Sequence, residues 1–299
     1  MNNSVTDLDQ QLPVIGVVGV GLLGSAIAAR LVEKAYSVVG YDPVHFDVTG
    51  VGVSESIPKL ISKVSVLILC LPDSAVAKFV IDEGRLALHE GHTVIDTTTG
   101  RPDDMVFIGE KLRKQNVNYV EANVAGSSIQ VLEGTSTLFV GGHSNAVEAN
   151  ARLFNAIAKQ WFHLGIVGEA SNFKLVHNMI LGLHRLVLAE GMEFARALGM
   201  NASKVLDILK KTPAYSTVMD TKGTKMVHGN FDKPQARLSQ HLKDVQLMQE
   251  LAERSGAKTP LTSLHQQILE SAVQMGFGPC DNSAVLEFFK SNQPDSDIS

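Results

Sequence analysis

Lys174 and Asn178 stand four residues apart at the head of a long apolar run, SNFKLVHN followed by MILGLHRLVLAEGMEFARAL. On a helix that spacing puts both side chains on one face. An ammonium can give a proton to an oxygen, and the neutral amine can take it back. A carboxamide beside it can hold the amine or the reacting oxygen. A buried, unpaired charge is costly, so Lys174 is either a snorkelling residue with its stem on the core or the reactive group of a site. If the helix begins near Ala170 or Ser171, Lys174 lies in its first turn, where the helix dipole disfavours a cation by about 0.3–1 kcal/mol. That dipole and partial burial favour the neutral amine and hence proton exchange. On the helix alone, snorkelling is the better reading.

A second motif reverses that balance. Gly19-Val20-Gly21-Leu22-Leu23-Gly24 is a G-x-G-x-x-G that follows the apolar, β-branched run VIGVVGV and opens a helical pattern at 22–35. In that context Gly19 permits a tight turn, Gly21 lets backbone approach a pyrophosphate, and Gly24 lets helix pack on strand. The N–H groups of Gly21, Leu22 and Leu23 then face the phosphates from the helix N-terminus. The plainer reading is an incidental glycine-rich turn. Asp42 weighs against it: it follows the second strand, 18 residues after Gly24, near the ~20 expected for a ribose-binding carboxylate. Residues 41–58 hold no Lys or Arg, so no cation awaits a 2′-phosphate, and NAD is expected over NADP. The competing role for Asp42 is to start a turn with Pro43.

The elements that must carry these groups alternate. Strand-like runs recur at 14–20, 38–42, 64–72, 92–98, 117–124 and 136–142, with helix-like segments such as 102–115 between them. This predicts an α/β, Rossmann-type, doubly wound parallel sheet. After about residue 165 strand-like runs vanish. Residues 170–198 read as a central helix, apolar almost all round, followed by helices over 202–210, 237–254, 261–275 and 282–290. The expected organisation is a disordered N-terminus over 1–12, an NAD-binding domain over 13–164, an all-helical substrate and oligomerisation domain over 165–290, and a tail over 291–299.

Composition is that of a soluble globular chain. Of 299 residues, 44% are hydrophobic and 19% charged, with a net charge of −5. No basic run invites nucleic acid or an anionic membrane, and no stretch reaches the ~18 apolar residues of a membrane span. Two isolated cysteines, Cys70 and Cys280, make neither a disulfide framework nor a zinc site, and no metal is expected. Cys70 reads as a small core residue. The polar N-terminus carries no signal-peptide pattern, so the expected compartment is the cytoplasm.

An ordered set of segments carries a family resemblance: CLPDSAVAKFVI, VIDTTTGRP, EANVAGSS, GEASNFKLVHN, HLKDVQL and GFGPCDNSAV. Over residues 13 to 290 the chain resembles the β-hydroxyacid dehydrogenases, which include 3-hydroxyisobutyrate dehydrogenase and tartronate semialdehyde reductase. The resemblance implies that Lys174 is the catalytic acid/base and that Asn178 supports it. It implies that Thr99 lies near nicotinamide and substrate, that Leu71 and Pro72 line the cofactor, and that Lys243 reaches cofactor and substrate from a C-terminal helix. The family's substrate loop reads Asp-Ala-Pro-Val-Ser-Gly-Gly. Here it is Glu121-Ala122-Asn123-Val124-Ala125-Gly126-Ser127, with departures at 121, 123, 125 and 127. The family serine that helps hold a carboxylate is Ala125. The amides of Ala125, Gly126 and Ser127 remain as candidate carboxylate donors, with Ser127 or Ser128 offering a hydroxyl from another angle.

The reading is therefore an NAD-dependent oxidoreductase that interconverts a small β-hydroxyacid and its semialdehyde or oxo partner between the sheet edge and the helices. Its rivals are a carbonyl or imine reductase of the same superfamily, against which Lys174 counts, and a non-catalytic cofactor-binding interaction module. The resemblance further implies a homodimer or homotetramer. Arg185 lies about 16 Å further along the helix axis and reads as structural. His177 and His184 read as structural or interface residues, His241 as a solvated helix position, Asp244 as a brace for Lys243, and Asp281 as a helix N-terminus residue.

Overall fold

The structure, a computed structural model, describes residues 12–290. All but Leu12 of the expected disordered segment 1–12, and all of the tail 291–299, lie outside the described residues. The chain forms two compact units, one running to Lys174 and the other starting at Leu175.

The first unit contains β1 (Ile15–Val18), α1 (Leu22–Glu33), β2 (Val38–Tyr41), β3 (Val51–Val53), α2 (Ile57–Ile61), β4 (Val66–Leu69), α3 (Ser74–Gly84), β5 (Thr93–Asp96), α4 (Pro102–Arg113), β6 (Asn118–Ala125), α5 (Ser128–Leu132), β7 (Thr137–Gly141), α6 (Ser144–Ala149), α7 (Ala151–Ile157) and β8 (Gln160–Gly165). The eight strands make one sheet in the order β3-β2-β1-β4-β5-β6-β7-β8. The chain winds from β1 out to β3 and returns to β4, so the strand order reverses beside β1. Such a switch point is where open α/β sheets receive ligands, outside the C-terminal ends of the strands.

The inner strands are apolar on both faces because both faces are covered. Ile15, Val17 and Ile68 pack into one core with Ile27, Leu31 and Phe154. Val18, Leu67 and Leu69 point the other way, into a core with Leu60, Ile81 and Met105. That two-sided burial produces continuous hydrophobic runs rather than alternation.

The sheet departs from the expected all-parallel form at one place. β7 pairs with β6 antiparallel, Glu121 opposite Gly141. The chain turns back through α5 between these two strands. β3 and β8 also form strands that the sequence pattern does not announce.

The second unit is helical. The long helix α8 (Glu169–Ala197) runs into it, followed by α9 (Ala202–Leu209), α10 (Val218–Thr221), α11 (Gly223–His228), α12 (Leu238–Ser255) and α13 (Pro260–Ala272). A π-helical turn (Val273–Phe277) and a 3-10 helix (Asn282–Phe289) complete it. Its core gathers Leu186, Met192, Leu206, Met226, Val245, Leu269 and Val285. Contrary to the expectation of a helix buried all round, α8 exposes Phe173, Val176, Ile180, Val187 and Phe194. Their three-, four- and seven-residue spacing gathers them on one side.

Candidate functional site

Parallel pairing brings the ends of β1, β2, β4, β5 and β6 to one edge. The expected cofactor and substrate residues of the first unit therefore gather there. Gly19 adopts φ +89°, and a Cβ on it would stand 2.3 Å from the Cys70 carbonyl oxygen. A Cβ on Gly24 would stand 1.8 Å from the Gly19 carbonyl oxygen. Both glycines are required by the protein's own packing. Gly21 differs: an added Cβ there meets nothing within 4 Å. Gly21 is also the N-cap of α1, and no side chain caps that helix. An open glycine before an uncapped helix N-terminus fits the pyrophosphate of a dinucleotide.

Asp42 follows β2 and is half-buried. Its Oδ2 accepts from the Val20 N–H at 2.7 Å, and its Oδ1 accepts from the Val44 N–H at 2.8 Å. The carboxylate thus ties the glycine loop to the next strand end and also makes the turn anticipated from Asp42-Pro43. Each oxygen accepts one such bond, and an ionised carboxylate has acceptor capacity for more.

Leu71 lies against the glycine turn, since a Cβ on Gly19 would be 3.1 Å from Leu71 Cδ2. The Leu71 N–H donates to Thr98 Oγ1 at 3.2 Å. The Thr97 hydroxyl donates to the Leu69 carbonyl at 2.7 Å, and Asn123 Nδ2 donates to the Thr98 carbonyl at 2.8 Å. The ends of β4, β5 and β6 are laced by these side chains. Pro72 is exposed beside Leu71, and Thr99 is half-buried at the end of the β5 segment. Burial pushes the Cys70 thiol up to about 12, away from the thiolate form that reacts.

β6 matches the strand expected over 117–124 and continues to Ala125, so most of the substrate stretch lies on it. Glu121 and Asn123 are buried, Ala125 is half-buried, and only Gly126 and Ser127 lie beyond the strand. Ser127 caps α5 in a reciprocal box with Gln130: its hydroxyl accepts from the Gln130 N–H at 3.3 Å, and its own N–H donates to Gln130 Oε1 at 2.9 Å. Both groups already have partners within the fold.

Lys174 is 8% exposed. Its ammonium donates to the carbonyl of Val124 at 2.7 Å, next to Ala125. The lysine is docked on the strand end. One turn further along α8, Asn178 Nδ2 donates to Asp244 Oδ2 at 3.1 Å. Asp244 Oδ1 lies 3.1 Å from Lys243 Nζ. The second unit thus links Asn178 to Lys243 through Asp244, a mediator expected only as a brace for the lysine.

Two assignments change. His241 is buried, not solvated: its Nε2 is 3.4 Å from Arg185 Nη2, and its ring packs against that of His265. The apolar faces of α8 and α12 pull it inward with them. Glu121, read from sequence as a departure from the family's substrate motif, is a buried carboxyl that accepts from the Gly168 N–H at 2.6 Å and from the Ser171 hydroxyl.

Two family profiles match the chain. One, the NAD binding domain of 6-phosphogluconate dehydrogenase, covers residues 14–165. The other, NAD-binding of NADP-dependent 3-hydroxyisobutyrate dehydrogenase, covers residues 168–289. The first profile spans just over half of the chain, which belongs to the family that carries this NAD binding domain; its helical part matches the 3-hydroxyisobutyrate dehydrogenase profile. Among its relatives, cytokine-like nuclear factor N-PAC of Drosophila melanogaster is 28% identical over 296 residues, covering 95% of this chain and 49% of that protein. The chain therefore spans about half the length of the N-PAC relatives it matches. The 2-(hydroxymethyl)glutarate dehydrogenase of Eubacterium barkeri is 26% identical over 285 residues, covering 92% of this chain and 94% of the relative. The solved structure of Mycobacterium tuberculosis 3-hydroxyisobutyrate dehydrogenase with L-serine superposes with a TM-score of 0.82 at 22% identity, covering 94% of this chain and all of that one. Among the described residues, no helix is long and apolar enough to cross a membrane.

Proposed function

We propose that the protein is an NAD-dependent oxidoreductase that interconverts a small β-hydroxyacid and its semialdehyde or oxo partner, with Lys174 as the proton-transfer group. The supporting observation is the lysine itself: nearly buried, in the first turns of α8, and hydrogen-bonded to the strand end that leads into Ala125 and Gly126.

A bound dinucleotide supplies the hydride chemistry; the chain must hold it, orient the substrate and manage one proton. Gly19, Gly21, Leu22, Leu23 and Gly24 are assigned to the pyrophosphate, Asp42 to the ribose, and Leu71, Pro72, Thr99 and Lys243 to the remainder of the cofactor. Thr99, Ala125, Gly126, Ser127 and Lys243 are assigned to the substrate. On carbonyl reduction Lys174 gives its proton to the forming alkoxide; on alcohol oxidation the neutral amine takes it from the hydroxyl. Asn178 orients the reacting oxygen or the amine. Asp42, with no cation at 41–58, supports NAD over NADP; equal catalytic efficiency with both would overturn that preference.

The test is NADH formation across 3-hydroxyisobutyrate, glycerate, 3-hydroxypropionate, 4-hydroxybutyrate, threonate and serine. Turnover is expected on at least one. One observation favours a second reading, a non-catalytic cofactor-binding module: the N-PAC relatives are named nuclear factors rather than dehydrogenases. Tight NAD binding with no turnover on the whole panel would select it. The proposed assembly is a homodimer or homotetramer in the cytoplasm. The exposed apolar side of α8 supports self-association, and sedimentation at the monomer mass would count against it.

A further inference from the structure

Glu121 is 1% exposed. Its register partners are Asp96 on β5 and Gly141 on β7. Its two oxygens take the Gly168 N–H and the Ser171 hydroxyl. Gly168 immediately precedes α8, and Ser171 is in the first turn. A carboxylate borrowed from the sheet therefore satisfies N-terminal donors of the helix, the job usually given to an N-cap. Three residues further on each element, Val124 takes the Lys174 ammonium. Strand and helix are thus pinned at two points, and one of them is the proposed proton donor.

Gly141 makes the longer acid possible. A Cβ there would stand 2.7 Å from Glu121 Oε2 and 3.2 Å from Ala170 Cβ. The family pattern has aspartate at 121; this chain has the extra methylene, and a glycine beside it leaves room for the carboxyl.

We propose that Glu121 is a positioning residue that clamps the first turn of α8 to β6 and so fixes where the Lys174 amine sits. This rests on the reading of Lys174 as the proton-transfer group. The clamp has a charge dependence. Burial, with the Asp96 charge adding to it, pushes the Glu121 carboxyl up to about 7, against the pull of Ser171 and Gly168. Other titratable groups around it are Tyr119, whose hydroxyl donates to Asp96 at 2.9 Å, and Glu169 and Lys174 on α8. When Glu121 ionises, the clamp gains acceptor capacity, and the helix N-terminus gains an anion that offsets its dipole.

The experiment uses the full chain with Glu121→Ala and Glu121→Gln. Amide exchange over residues 168–174 and acetylation of Lys174 by acetic anhydride, both read by peptide mass, do not require turnover. Glu121→Ala should speed exchange and Lys174 acetylation about tenfold or more. It should lower kcat at least tenfold while NAD affinity and substrate KM stay within about twofold. Glu121→Gln keeps the shape but cannot ionise; it should fold, bind NAD, and lose the wild-type inflection of kcat near neutral pH. If Glu121→Ala fails to fold, the glutamine variant carries the test. Unchanged exchange and acetylation in the alanine variant, or a wild-type pH profile in the glutamine variant, overturns the clamp. Absence of turnover in the wild type overturns the enzymatic reading instead, while exchange and acetylation still decide the clamp.

Discussion

The Lys174 ammonium and the Val124 carbonyl meet at 2.7 Å, joining the first turns of α8 to the strand end that leads into Ala125. That hydrogen bond holds a nearly buried cation beside the expected substrate stretch. Lys174→Ala should lower turnover by about 10²- to 10⁴-fold, the usual worth of a general acid–base group. NAD affinity should stay within about twofold. Steady-state kinetics with an NADH fluorescence titration checks both. A melting curve is the control, because the variant leaves the Val124 carbonyl without its partner, a loss of about 1–3 kcal/mol if water cannot replace it.

The glycines of the loop separate a packing role from a binding role. Gly24→Ala drives a methyl into the Gly19 carbonyl, which lies 1.8 Å from the ideal Cβ. Neither backbone segment can yield cheaply, so the melting temperature should fall by several degrees, with loss of folded protein at 37 °C. Gly21→Ala meets nothing within 4 Å, so its melting temperature should stay near wild type while NADH affinity drops tenfold or more. Thermal melts paired with the binding titration decide it. Equal damage to stability in both variants would remove the reason for assigning Gly21 to the cofactor.

The strands of the cofactor edge are legible in the sequence because two-sided burial leaves long apolar runs with glycine or proline at their ends. β3 and β8 are not. β3 is three residues long, and β8, QWFHLG, is an edge strand whose residues are exposed or half-buried, so neither apolar run nor alternation marks it. The antiparallel turn into β7 is equally silent, because a strand's pattern reports which faces are buried and not its direction. β6 lies where the strand over 117–124 is expected, but Glu121 and Asn123 on it point into buried structure. The period-two pattern of VNYVEANV could not show this, because a glutamate and an asparagine in a strand look solvent-facing until partners are known. Glu121 finds Gly168 and Ser171 nearly fifty residues away, and His241 finds Arg185 across a similar separation; no local signal encodes such pairs.

Asp281 is the hub of the helical unit. It is fully buried, both its oxygens accept from Lys222 Nζ at 2.9 Å, and it also receives the Gln235 N–H at 2.8 Å and the Ser283 hydroxyl at 2.7 Å. Burial alone would raise its carboxyl, but Lys222, Gln235 and Ser283 outweigh that and hold it below the usual carboxylate range. Asp281→Ala strands the buried Lys222 charge and should cost about 3–5 kcal/mol. Calorimetry should show a lowered melting transition. Because the folded carboxyl is depressed, its contribution is present above the ordinary aspartate range and is lost as pH falls. The wild type should therefore lose stability toward pH 3 faster than the variant does. Parallel acid denaturation curves would contradict this.

Glu121 works in the opposite sense. Its carboxyl rises from an ordinary 4.5 to about 7, chiefly through burial and with Asp96 opposing its charge. A raised carboxyl means the folded state holds its proton more tightly than the unfolded state. The stability this gives is fully present below about pH 4.5 and is lost as pH climbs through 7. Glu121→Gln keeps a neutral group of nearly the same shape, so it escapes that loss. Measured by urea unfolding, the variant should gain on the wild type between pH 5 and pH 8, by up to about 3 kcal/mol. The sign is the stringent part. A capping carboxylate stabilised by the helix dipole alone would be lowered, and the glutamine variant would then lose ground as pH rises. A gain in stability at pH 8 alongside slower turnover would show that the chain gives up stability at Glu121 to keep an ionisable clamp under Lys174.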